Sequence, residues 1–280
     1  MRLAYRLVNV FTQKGGKLTG NPLCVFEDGA GLDAAQMQAL ALQFNLSETT
    51  FISASDRADA RVRIYTPSYE MPFAGHPTLG TAHVLRSLRN LGDKVTLELN
   101  VGVIPVVAQK DQWELRANAA TTRAPKAARG ELAAALGLKE SDIRGPALWA
   151  NAGSEQLIVP LASESAVRSV RISFDALARV TQDGPRAQAY VFAETGANTL
   201  LSRFFFSKGE SLTEDPATGS ATANLGGWYL ANNASLPLTK IISQGELAGR
   251  PSTLRLRIDA ERTVFVAGEV IELGRGFIDL

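Results

Sequence analysis

Two eight-residue segments half a chain apart constrain this sequence most. His76-Pro77-Thr78-Leu79-Gly80-Thr81-Ala82-His83 aligns with Asp215-Pro216-Ala217-Thr218-Gly219-Ser220-Ala221-Thr222 at an offset of 139 residues, sharing Pro, Gly, Ala and a hydroxyl position. Upstream of each lies an Arg followed by an apolar strand, Arg63-Ile64-Tyr65 and Arg203-Phe204-Phe205, at offset 140. A helix-like stretch follows each copy, so each half reads strand, polar loop, helix. A repeat at half the chain length predicts two similar units rather than one large one. Related halves are expected to face each other, with equivalent loops on opposite walls of a cleft, a favoured place for ligands. The Arg123–Gly130 stretch reads as the crossing. The expected domains are 1–122, which can include the C-terminal strand, and 123–280.

Short strand-like runs recur throughout, among them Arg2–Val10, Leu23–Phe26, Thr49–Ile52, Ala60–Tyr65, Val95–Leu99, Leu157–Leu161, Leu200–Phe206 and Val264–Ile271. Helical periodicity is confined to Leu32–Phe44, with Asp33 as its cap, and to Thr78–Arg89, Glu131–Leu136, Phe174–Thr181 and Ser220–Leu230. Strands outnumber helices, and the class expected is α+β.

Composition removes several functions. The 280 residues carry 29 basic and 28 acidic side chains, a formal net charge of +1 that offers no field for nucleic acid or an anionic membrane. No run approaches the roughly 18 apolar residues of a membrane-crossing helix, and Arg2–Phe11 alternates like a strand rather than a signal peptide. The single cysteine, Cys24, cannot pair within the chain, and two histidines make no evident metal site. A reducing cytoplasm is the expected setting. Phosphate-binding, dinucleotide-binding, serine-hydrolase and zinc-peptidase signatures are absent, so neither a cofactor nor a metal is expected.

Three segments carry groups capable of chemistry. Glu214–Thr222 sets small and hydroxylated residues before an apolar helix, where first-turn N–H groups with Thr218 and Ser220 could hold a carboxylate. Ordinary capping explains the same residues. Phe73–Gly80 repeats the device, with His76 at a loop-to-helix start, whereas His83 reads as packing or surface. Glu48 stands at the edge of an apolar strand, where burial would suit it to take and return a proton; a solvated strand-edge glutamate is the plain alternative. Asn21 could bind a ligand from its turn or merely close it. Cys24, among Leu23, Val25 and Phe26, reads as an inert core thiol.

Taken in order, Gly20-Asn21-Pro22, Leu46-Ser47-Glu48-Thr49, Tyr65-Thr66-Pro67, Gly75-His76, Glu214-Asp215-Pro216-Ala217-Thr218-Gly219-Ser220 and Ile242-Ser243-Gln244-Gly245-Glu246 with Gly249-Arg250-Pro251-Ser252 resemble the phenazine-biosynthesis PhzF-like family over nearly the whole chain. The resemblance implies a diaminopimelate-epimerase-like fold: two similar domains, each a curved sheet or barrel around a central helix, closing on a cleft. It also implies a cofactor-independent isomerase with the residue matching Glu48 as general acid/base. Those matching His76 and Asp215 would assist and orient, with Gly75, Gly219 and Ser220 against the ligand.

Epimerases of that fold use two cysteines, one per half. Ala74-Gly75 and Pro216-Ala217 occupy the matching loops here, so a two-thiol racemase is not expected, and one glutamate suffices for a proton that leaves and returns on the same side. Ala74 and Pro77-Thr78 depart from the family's frequent Cys and Ala-Thr. The expected ligand is a small carboxylate-bearing substrate, and a homodimer fits. The alternatives are an acid-binding or interaction protein that kept the fold without the chemistry, and a lyase or hydrolase on the same scaffold.

Overall fold

The computed structural model describes residues 1–280 as two compact units, Met1–Arg116 with Ala267–Leu280, and Ala117–Val266. The chain crosses at Arg116/Ala117, and residues 123–130 run inside the second unit. Seventeen strands and six α-helices make up the whole. The first stretch contributes β1 (Arg2–Val10), β2 (Asn21–Phe26), α1 (Ala34–Phe44), β3 (Glu48–Ser53), β4 (Ala60–Tyr65), β5 (Glu70–Met71), α2 (Gly75–Arg89), β6 (Lys94–Leu99), β7 (Gly102–Gln109) and β8 (Gln112–Arg116). The second contributes β9 (Thr121–Arg123), α3 (Arg129–Ala135), β10 (Leu148–Asn151), β11 (Glu155–Pro160), α4 (Glu164–Ser169), α5 (Phe174–Val180), β12 (Gln188–Glu194), β13 (Thr199–Lys208), β14 (Ser211–Asp215), α6 (Gly219–Ala231), β15 (Leu238–Gln244) and β16 (Ser252–Ile258). Strand β17 (Val264–Asp279) begins in the second unit and ends in the first.

In the first unit β1 pairs antiparallel with β2, β2 parallel with β3, β3 antiparallel with β4, β4 parallel with β6, then β7 and β8 follow antiparallel. Strand β17 pairs with both β8 and β1, closing a ring of eight strands. Helix α2 runs through it, buried over most of its length from Gly75 to Leu85, around its circumference rather than along one stripe. Gly80 lets it touch the wall: a Cβ there would lie 2.6 Å from Leu23 Cδ2 and 2.9 Å from Val10 Cγ2. Helix α1 packs outside on Leu3, Cys24, Phe26, Phe51 and Tyr65. It starts where expected, because Asp33 accepts from Gln36 N–H at 2.8 Å and Gln36 returns its side chain to Asp33 N–H at 3.0 Å.

The second unit repeats this order. Strand β10 is antiparallel to β11, β11 parallel to β12, β12 antiparallel to β13, β13 parallel to β15, and β15 antiparallel to β16. Helix α6 takes the place of α2 and is likewise buried along its length. Helices α3, α4 and α5 share a second cluster around Trp149, Leu157, Val191 and Phe205.

Pairing registers make the duplication residue-specific. Arg63 opposes Phe51 and Arg203 opposes Val191; each arginine then grips a glutamate with two nitrogens, Glu70 at 2.8 and 2.6 Å and Glu214 at 2.9 and 2.7 Å. The helices, however, match at offset 144 (Gly75 with Gly219) and not 139. The Thr78 hydroxyl donates to the Ala74 carbonyl at 2.7 Å just as Thr222 donates to Thr218 at 3.2 Å. His76 therefore corresponds to Ser220, and Asp215 to Met71. Shared Pro, Gly and Ala had suggested the other alignment; the β13–β14 hairpin has longer strands than β4–β5, with arginine and glutamate 11 residues apart instead of 7, and this shifts the true one.

Candidate active site

The first unit gathers Asn21, Glu48, Gly75 and His76 at one end of its barrel. Strands β2 and β3 run parallel with Leu23 opposite Glu48, so the Asn21-Pro22 turn and Glu48 share that end. Helix α2 begins there with Ala74 as its cap residue and no side chain satisfying its first N–H groups. His76 is 6% exposed, and its Nε2 lies 3.4 Å from Glu48 Oε2, longer than an ordinary hydrogen bond. The imidazole donates instead to the Pro22 carbonyl, and since Nε2 makes no hydrogen bond the donor is Nδ1. Burial lowers the His76 pKa from 6.5 to about 3, so the ring is neutral and turns the lone pair of Nε2 toward the carboxyl group.

The second unit gathers Asp215, Thr218, Gly219 and Ser220 at the start of α6. Ordinary capping does not account for them. Thr218 is the cap residue, yet its hydroxyl donates away from the helix, to Asp215 Oδ2 at 2.5 Å. Gln244 sets that polarity. Its Nε2 donates to the Asp215 carbonyl and to Thr218 Oγ1, both at 2.9 Å, while its Oε1 takes the Thr218 backbone N–H at 3.4 Å. A carbonyl only accepts and an N–H only donates, so the amide has one orientation and Thr218 must pass its proton to Asp215. Gly245, with φ +79°, keeps the support close, for a Cβ there would lie 2.4 Å from the Pro216 carbonyl oxygen.

Two further groups escaped sequence reasoning. Gln156 donates to Ser220 Oγ at 3.0 Å, and Asn224 donates to Gln156 Oε1 at 2.8 Å. Their signal was a buried amide inside an apolar strand and another inside an apolar helix. Cys24 is fully buried, which pushes its thiol pKa up and keeps it protonated, in keeping with an inert core thiol. His83 accepts from Trp113 Nε1 at 3.2 Å and belongs to packing.

A closed ring of strands around a buried helix, its strand order repeated around α6 in the second unit, with a carboxyl–imidazole pair at one helix start and an uncapped, hydroxyl-rich start on the other, is the frame this chain presents. The family described as phenazine biosynthesis-like protein matches residues 8–275, and this chain belongs to it. An uncharacterized isomerase of Pasteurella multocida is 39% identical over 98% of this chain and 93% of its own length. The trans-2,3-dihydro-3-hydroxyanthranilate isomerase of Pseudomonas aeruginosa is 33% identical over 98% of this chain and 97% of its own. The PhzF-family phenazine biosynthesis protein of Bacillus anthracis superposes with a TM-score of 0.87 over the full length of both chains at 24% identity, a likeness of fold. The chain is an isomerase of this family, and no helix in it is long and apolar enough to cross a membrane.

Proposed function

We propose that this isomerase moves a proton within a small cyclic acid bearing a carboxylate, with Glu48 as the single acid/base and no cofactor. The observation that carries this is the Glu48–His76 pair. A neutral imidazole whose Nδ1–H is already committed to the Pro22 carbonyl presents only an acceptor to Glu48. When Glu48 takes a proton from substrate carbon it gains a partner for that proton, and when the proton returns to another carbon the partner is given up. His76 thus steadies the intermediate state of the carboxyl group without competing for the proton. In the second unit, taken by itself, the first-turn N–H groups from Gly219 onward with the Ser220 hydroxyl would hold a carboxylate, and Asp215, which already accepts from Thr218, would take a hydrogen from an amine or hydroxyl.

The substrate named for the Pseudomonas relative, trans-2,3-dihydro-3-hydroxyanthranilate, has these groups and is the compound to test. In deuterium oxide, wild-type protein should place deuterium on a ring carbon, read by mass spectrometry and NMR. Glu48→Gln should abolish incorporation, by at least about a thousandfold, with the fold intact. The second unit supports that last expectation: its counterpart of Glu48 is Gln188, one residue before the Ala189–Phe205 pair as Glu48 precedes Thr49–Tyr65. There the amide donates to the Glu155 carbonyl and accepts from Arg186 Nε at 3.0 Å. Undiminished exchange in Glu48→Gln would remove Glu48 from the chemistry.

A further inference from the structure

We propose that Gln156 is a positioning residue that compels the Ser220 hydroxyl to act as a hydrogen-bond donor toward an anionic ligand. The proposal rests on the reading above that the α6 start receives a carboxylate, and it adds the device that sets the polarity of that contact.

The chain of reasoning begins at a group with only one possible role. The Ala152 backbone N–H donates to Asn224 Oδ1 at 2.7 Å. Asn224 Nδ2 must then point the other way, and it donates to the Ser154 carbonyl at 2.7 Å and to Gln156 Oε1 at 2.8 Å. An N–H cannot accept and a carbonyl cannot donate, so the Asn224 amide is oriented twice over. With its oxygen taken, Gln156 offers Nε2, which donates to Ser220 Oγ at 3.0 Å. Ser220 enters this network only as an acceptor, which leaves its own proton for an acceptor outside the network. Thr78 and Thr222, one turn into their helices, instead return their protons to the carbonyl four residues back.

The fold does not require this polar chain. In the first unit the position of Gln156 is held by Leu23, which stands beside Glu48 as Gln156 stands beside Gln188, and the position of Asn224 is held by Gly80. There the strand and helix meet as bare hydrocarbon against glycine, close enough that a Cβ on Gly80 would lie 2.6 Å from Leu23. The same junction is thus built once without any polar atom and once with two amides each 1% exposed. Burying amides where hydrocarbon suffices costs desolvation, which points to a task beyond packing.

The test is a double-mutant cycle read with anthranilate, a flat amino acid whose carboxylate stands in for that of the substrate, by titration calorimetry. Gln156→Leu copies the first unit and leaves Asn224 bonded to Ala152 and Ser154. It should raise the Kd for anthranilate about tenfold in the wild-type background and less than about twofold in Ser220→Ala. Gln156→Glu, equal in size but an acceptor at both oxygens, should draw the Ser220 proton to itself and weaken binding more than leucine does; it also serves if the leucine variant does not fold. An equal effect of Gln156→Leu in both backgrounds, or none in either, overturns the positioning role alone. No change in Kd with Ser220→Ala, or no anthranilate binding by the wild type, overturns the carboxylate reading and the positioning role together.

Discussion

Burial removes water from both faces of the His76 ring, and the Pro22 carbonyl satisfies one nitrogen, so the cost of protonating the other falls on the folded state alone. The pKa of about 3 in the folded protein, against 6.5 for the free side chain, gives the sign. Between those values the unfolded chain binds a proton that the folded chain does not, so stability falls as the pH drops from 6.5 toward 3 and is unaffected by this group above 6.5. From pH 7 to pH 5 the loss should be about 2 kcal/mol, and His76→Asn, which cannot titrate, should lack it. Urea unfolding of both proteins at the two pH values checks this; an equal loss in both assigns the acid sensitivity elsewhere. At this scale the sequence picked out Glu48 and His76, which the structure brings to 3.4 Å of each other, and Asp215, which it sets beside Thr218, because short motifs preserve identity. Gln156, Asn224 and Gln244 act by orienting a neighbour, and a lone amide in an apolar run says nothing of which way it points. Only the hydrogen bonds to Ala152, Ser154 and Asp215 reveal that.

Helix α2 shows how far an element's environment can override its composition. Glycine in mid-helix disfavours the helical state by about 1 kcal/mol relative to alanine. Gly80→Ala should nevertheless destabilise the protein, since the added carbon would press on Leu23, Val10 and Val8, all fully buried core side chains. Overpacking of this kind costs about 1–3 kcal/mol, and with contacts of 2.6 and 2.9 Å to buried side chains it outweighs the gain in propensity, for a net loss of up to about 2 kcal/mol. Gly92→Ala, where a Cβ would meet nothing within 4 Å, is the control and should be neutral or slightly stabilising. Thermal unfolding of the two variants separates them, and equal shifts would mean that α2 is not held against the wall. Elements with strong apolar periodicity were legible in the sequence, α1 down to its Asp33 cap. Strands β8, β9, β10 and β14 were not read, being short or polar, although fully buried Trp113 and Trp149 lie in two of them. The last half of β17 was missed because Gly274 and Gly276 interrupt its alternation, and the structure needs the second of them so that Tyr5 can lie across the strand.

For the whole molecule, the two-unit plan was legible from a repeat whose existence was right and whose helix register was five residues off. Short common residues align by chance, whereas strand pairing and the Arg63–Glu70 and Arg203–Glu214 forks do not. The plan also predicts how the molecule fails. Strand β17 supplies one of the eight staves of the first barrel, pairing Arg2 with Asp279 through Val10 with Val270. A chain ending at Ile271 should therefore lose hydrogen-exchange protection in β1, β2 and α2 while β11, β12 and α6 keep theirs. Equal loss in both units would show that they unfold as one.

That shared strand has a consequence for synthesis. All of the second unit lies between residues 117 and 266, inside the span that separates β1 from its partner. On the ribosome it can complete its pairings while the first barrel still waits for a stave not yet made. Glu48 and His76, translated early, remain in an unsealed barrel through that interval. The newborn protein thus completes the unit that carries Asp215 and Ser220 before the barrel that carries Glu48 and His76.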